Sequence, residues 1–197
     1  MKEENLSKTF ILFNRLGIIH DKQKYGNITI SGIIRHTYKT IRIAYLFKKA
    51  YHPGLFHTRD FSSRRARLWR KMGCNVGEDV CIGHSVAVDV GNTELITIED
   101  KVIITNHCVL LCHRRDMKDY YKGDDAYNLP YIYRPVVLKK SCQLGMGTIV
   151  MPGVTIGEGA IVGAHSVVTR DVPAWTIAVG NPCRVIKELN ERNIRNG

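Results

Sequence analysis

At 197 residues and 44% hydrophobic content, the chain has the size and composition of one soluble domain with an appendage. No stretch reaches the roughly 18 apolar residues of a membrane span, and the opening MKEENLSKTF lacks the apolar run of a secretory leader, so a cytoplasmic chain is expected. The net charge is +11, and residues 1–73 hold 16 of the 29 basic but only 4 of the 18 acidic side chains, so the whole excess lies there.

Residues 1–72 read as a basic, mostly helical N-terminal region. Within it, IIRHTYKTIRIAYLFKKAY (33–51) sets apolar residues at helical spacing with Arg35, Lys39, Arg42, Lys48 and Lys49 between them. Such a segment fits a helix packed on a neighbouring domain with a solvated basic face, or an interfacial helix on an anionic membrane. Nucleic acid is not an expected partner, because no aromatic-basic groove or known motif accompanies the charge. Pro53 and Gly54, in YHPGLFHTRD, mark a break.

From residue 73 onward a period of six takes over. Val76, Ile82 and Val88, then Ile98, Ile104 and Leu110, then Leu138, Leu144, Val150, Ile156, Val162 and Val168 form twelve aliphatic hexads in three blocks. Neither an α-helix nor a lone strand repeats at six. A short strand followed by a tight corner does: the aliphatic points inward, the corner needs little bulk, and the next strand begins a new face. Three faces close one coil of about eighteen residues, and stacked coils bury a continuous core. The fifth hexad place is small or β-branched throughout (Val80, Val86, Val102, Cys108, Cys142, Thr148, Val154, Ala160, Ser166, Val172), as an inward corner position requires.

Residues 114–135, RRDMKDYYKGDDAYNLPYIYRP, interrupt the hexads with charges, aromatics and two prolines, and a loop thrown out of a regular solenoid is where function concentrates. Beyond the last hexad, VGNPCRVIKELNERN predicts a turn and then a capping helix over about 183–194. The six cysteines (74, 81, 108, 112, 142, 183) include no CxxC pair and fit reduced packing positions. His107, Cys108, Cys112 and His113 raise a zinc site as an alternative, although the hexad phase sends the four side chains in different directions. No metal is expected.

The segments VMPGVTIGEGAIVGAHSVVTRDVP, AVGNPCRVIKE and LLCHRRD together resemble the hexapeptide-repeat acyltransferases, especially the galactoside, maltose and capsular-polysaccharide O-acetyltransferase branch. The resemblance covers about residues 75–190. It implies a mainly β fold, a left-handed parallel β-helix over 73–197 with a protruding loop and a C-terminal helix, assembled as a homotrimer with active sites between subunits. It also implies acetyl-CoA as acyl donor and a sugar or polysaccharide precursor as acceptor. In relatives an imidazole at the position of His113 is the general base. Asp89 falls on an acceptor-contacting Asn of galactoside acetyltransferases, where it would orient the sugar hydroxyl or the imidazole, and the carboxylate at that place puts the acceptor class in question. The backbone N–H of Met146, in LGMGT, is the implied oxyanion donor. Ala164, Thr169, Arg170, Gly180, Arg184 and Lys187 match coenzyme A contacts, and Gln143 departs from a common Trp. His107 and His165 are expected to be structural. Two further alternatives stay open: an antibiotic or other small-molecule acetyltransferase of the same fold, and a non-catalytic scaffold that docks through its basic N-terminus to a membrane or a partner. The three-histidine zinc centre of hexapeptide-repeat carbonic anhydrases is a third.

Overall fold

The computed structural model describes residues 6–18, 25–51 and 59–191, with the side chains of 59–62 excepted. The Pro53–Gly54 break lies outside them. By its contacts the chain divides into Met1–Ile43 and Ala44–Gly197.

The first unit is helical. Helix α1 (Lys8–Arg15) starts at Ser7, whose Oγ accepts the Phe10 N–H at 3.0 Å and donates to the Ile28 carbonyl at 2.9 Å. Phe10, buried on α1, packs with Ile33 of helix α2 (Ile30–Tyr51), and Leu6, Phe13, Tyr25 and Ile28 surround the pair.

The second unit is built on helix α3 (Arg59–Met72) and a strand solenoid. Its chain runs through β1 (Asn75–Val76), β2 (Cys81–Ile82), β3 (Ala87–Val88), β4 (Ile96–Ile98), β5 (Ile103–Ile104) and β6 (Val109–Leu110). A protruding hairpin follows, β7 (His113–Arg115) with β8 (Tyr131–Tyr133). The regular path resumes with β9 (Val136–Leu138), β10 (Gln143–Leu144), β11 (Ile149–Val150), β12 (Thr155–Ile156), β13 (Ile161–Val162), β14 (Val167–Val168), β15 (Thr176–Val179) and β16 (Arg184–Glu188). From β1 to β14, the hairpin aside, successive strands go to successive sheets and the fourth returns to the first; after β14 a single bridge of Val172 to Ile156 takes the first-sheet place before β15 joins the second sheet. The first sheet is β1-β4-β9-β12, the second β2-β5-β10-β13-β15-β16 and the third β3-β6-β11-β14. All pairings within them are parallel except β15 with β16. This is a three-sheet parallel β-solenoid.

The hexad is therefore one strand plus one corner. All twelve aliphatics are buried, from Ile82 and Leu144 with no exposure to Val88 at 8%, and all ten fifth-place residues are buried beside them. Hydroxyls at those places are satisfied locally: Thr148 donates to the Gly145 carbonyl at 2.7 Å and Ser166 to Gly163 at 2.8 Å. Four-residue corners put their third residue at positive φ, as at Asp79, Ser85, Lys101, His107, Ser141 and His165. Glycine after the aliphatic answers a different demand. A Cβ at Gly157 would lie 2.3 Å from the backbone N of Ala174 in the next coil, so only a bare Cα lets the coils approach.

Helix α3 closes the first coil. Trp69, Met72 and Ala66 are buried, and Arg65 Nη1 donates to the Ile82 carbonyl at 2.9 Å while Arg70 Nε donates to that of Val76 at 2.7 Å. Carbonyls that a preceding coil would have paired thus find donors. The helix expected over 183–194 is corrected: Arg184–Glu188 is a strand, antiparallel to β15, and residues 192–194 lie outside the described ones. The free edge of β15 offers these residues hydrogen bonds that an exposed half-apolar helix could not match.

Candidate active site

Asp89 and His113 each follow a strand of the third sheet, β3 and β6, in adjacent coils. The register Val88↔Leu110 sets Asp89 beside Leu111, and the start of the hairpin brings His113, two residues on, back over it. The Asp89 N–H reaches the Leu110 carbonyl at 3.2 Å. The Asp89 side chain is 6% exposed and that of His113 38%, and His113 Nδ1 is hydrogen-bonded to Asp89 Oδ2. A carboxylate only accepts, so Nδ1 carries the proton and the lone pair is left on Nε2. Asn92 donates its Nδ2 to the same Oδ2 at 3.0 Å. Cys112 is close by: burial, then the Asp89 charge, pushes its thiol up to about 12, so it stays protonated at neutral pH.

The hairpin supplies the other walls. Register pairs His113 with Tyr133 and Arg115 with Tyr131, so alternation puts all four on one face. The His113 ring meets Tyr131 edge-on at 5.3 Å between centroids and lies 6.2 Å from Tyr133. Arg115 sits 4.0 Å over the Tyr131 ring and donates to the Leu129 carbonyl. Asn92, Arg115, Tyr131 and Tyr133 were not singled out from the sequence. The alternating pair HRR and YIY, split by a turn-rich loop, was the available signal for the last three.

Other expected residues stand elsewhere. Thr169 and Arg170 follow β14, on the same corner as Asp89 and His113 but in a later coil. Met146 and Ala164 follow β10 and β13, on the corner between the second and third sheets, so a single chain does not gather Met146 with His113. Met146 is half exposed, and its N–H has no hydrogen-bond partner among the described residues. Gly180, at φ +100, makes the turn between β15 and β16 and donates its N–H to Ser166 Oγ at 3.0 Å. Arg184 and Lys187 are exposed on β16.

The histidine-cysteine cluster disperses. His107 packs edge-on against His84 at 5.0 Å, Cys108 is buried with its thiol on the Gly145 carbonyl at 3.2 Å, Cys112 is buried, and His113 belongs to Asp89. Among the described residues no group of three or more His, Cys, Asp or Glu is placed to hold a metal ion.

Residues 135–170 match the family model of the bacterial transferase hexapeptide, six repeats. The match spans β9 to β14, the second run of the solenoid. Among curated proteins, the chain is 33% identical over 99 residues to galactoside O-acetyltransferase of Escherichia coli K12, covering 50% of this chain and 46% of that one. It thus spans about half the length of the curated relatives it matches. Among solved structures, a maltose O-acetyltransferase from Clostridium difficile superposes with a TM-score of 0.61 at 23% identity, over 79% of this chain and 89% of that one. A galactoside acetyltransferase in complex with coenzyme A gives 0.58 at 21% identity, over 93% and 92%. At these identities the two structures establish a shared fold.

Proposed function

We propose that this hexapeptide-repeat chain is an acetyl-CoA-dependent O-acetyltransferase acting on a hydroxyl of a sugar, in the making of a surface or capsular polysaccharide. The observation that carries the reading is the buried Asp89 holding His113 in the tautomer a general base needs, at the root of an aromatic hairpin on a fold shared with sugar acetyltransferases. A sugar hydroxyl is a poor nucleophile at neutral pH. His113 Nε2 takes its proton as the oxygen attacks the thioester carbonyl carbon. Asp89 holds the imidazolium in place. The Met146 N–H donates to the oxyanion of the tetrahedral intermediate. The C–S bond then breaks, and His113 returns the proton to the departing thiolate.

Because His113 and Met146 occupy different corners of one solenoid, the reading requires a second copy to supply the oxyanion donor, as a homotrimer with sites between subunits would. The solenoid's left hand belongs to the same reading. Ala164, Thr169 and Gly180 line the donor groove, and Arg170, Arg184 and Lys187 hold its phosphates. Tyr131 and Tyr133 offer apolar ring faces to the acceptor's sugar ring. Among the described residues no helix is long and apolar enough to cross a membrane, and a cytoplasmic location completes the proposal.

The test is release of free thiol from acetyl-CoA with a panel of sugars, nucleotide sugars and oligosaccharides. His113→Ala is expected to cut acceptor-dependent release by about 10² to 10⁴ while coenzyme A binding and the melting temperature stay put. Undiminished turnover in that variant would remove His113 as the base.

A further inference from the structure

Helix α2 has an apolar stripe that its own unit does not bury. Ile33 turns inward to Phe10, whereas Ile30, Ile34, Tyr38 and Ile41, spaced four, four and three apart, lie on another face and are each about two-thirds exposed. Helix α1 and the turn after it add Ile11, Leu12, Leu16 and Ile18. Eight of the eighteen large hydrophobic side chains exposed among the described residues thus fall within the first 43 positions, a density that isolated surface residues do not reach.

Charge chooses what covers them. On the α2 wheel Arg42, Arg35 and Lys39 follow the apolar stripe along one side, and the described part of this unit has Lys8 and Arg15 besides, with no acidic side chain at all. A second copy laying its equivalent face there would set these cations against their own kind. Beyond Ile43 the sign repeats: a groove of about 420 Å³ is lined by Lys49, near the end of α2, and by Arg64, Arg67, Leu68 and Lys71 of α3, again with no carboxylate. Aliphatics beside a tyrosine, bordered by cations, on a helix not apolar enough to span, is the make-up of an element lying in the plane of a bilayer surface. Isoleucines then sit at the acyl boundary, Tyr38 at the level of the headgroups, and the arginines on lipid phosphates.

We infer that this protein docks on an anionic lipid surface through the Ile30–Ile34–Tyr38–Ile41 stripe of α2 and the Arg35, Lys39 and Arg42 row beside it. The inference stands independently of the acetyl-transfer reading.

The test is co-sedimentation of the full chain with vesicles of phosphatidylcholine alone and of phosphatidylcholine mixed with phosphatidylserine. The mixed vesicles are expected to bind the protein and the neutral ones to bind it far more weakly. At about fivefold per cation, R35Q/K39Q/R42Q weakens binding roughly 100-fold, and I34S/Y38S/I41S abolishes what added salt leaves behind. Both variants keep wild-type thiol release on a soluble acceptor, which separates a failure here from a failure of the catalytic proposal. Equal affinity for the two vesicle types, or affinity unmoved by either triple substitution, overturns the inference. So does an I34S/Y38S/I41S protein that sediments as a smaller species while the parent ignores vesicles, which would give the stripe to a second copy.

Discussion

Substituting Asp89 with Asn preserves size and removes charge, and its effect follows from one oxygen. Oδ2 receives both His113 Nδ1 and Asn92 Nδ2. An amide with its NH₂ in that place would face the NH₂ of Asn92, so Asp89→Asn keeps its oxygen there and His113 keeps its tautomer. What is lost is charge assistance: a hydrogen bond to a charged group contributes about 1.5–3 kcal/mol and a neutral one about 0.5–1.5. The difference, about 1–2 kcal/mol, is roughly 5- to 30-fold in kcat. Asp89→Ala removes the acceptor altogether and should cost about 10- to 150-fold. Steady-state thiol release, varying acceptor and acetyl-CoA separately, is the assay. The fall should appear in kcat, with both KM values within about twofold. A loss confined to the acceptor's KM would make Asp89 a binding group, and full activity in both variants beside a dead His113→Ala would refute the dyad.

Gly157→Ala forces a methyl against the Ala174 backbone and should destabilise by about 1–3 kcal/mol, a drop of several degrees in Tm; an unchanged melt would mean the coils are not pressed together there. Burial pushes the thiols of Cys74, Cys112 and Cys142 up to about 12, so each binds its proton more tightly folded than unfolded. The stability this gives is whole below the free-thiol pKa of about 8.5 and is lost as pH rises from there toward 12, at about 1.4 kcal/mol per pH unit for each thiol. Urea melts between pH 9 and 11 should show the decline, and at pH 8 a thiol reagent should reach Cys81 and Cys183 in the native protein but not the buried four; a faster reaction of any buried thiol would contradict the packing.

The solenoid was legible because its core condition recurs. Each strand from β1 to β6 and from β9 to β14 ends on an inward aliphatic, and a chain that fills that place twelve times leaves a periodicity that no single strand would show. Asp89 and His113 were legible as a pair only through the resemblance, although stacking the hexads on Val88 and Leu110 would have set them side by side. Asn92 was not legible: it acts from an irregular turn, at φ −140 and ψ 37, which no repeat specifies. Nor was β16, since RVIKELNERN carries good helix formers and only the presence of an unpaired β15 decides otherwise. The apolar stripe of α2 was visible as amphipathicity, but which of its faces the protein covers for itself depends on Phe10, more than twenty residues upstream.

A stack of coils has no built-in length: whatever satisfies one coil would satisfy another, including a coil of a different molecule. Here the two ends are made unlike. One finishes in arginine side chains donating to strand carbonyls, the other in a strand running backwards, so head and tail share no common register. Antiparallel β16 is thus a terminator, and a chain cut back to Val179 would expose a parallel edge fit to nucleate end-to-end fibres.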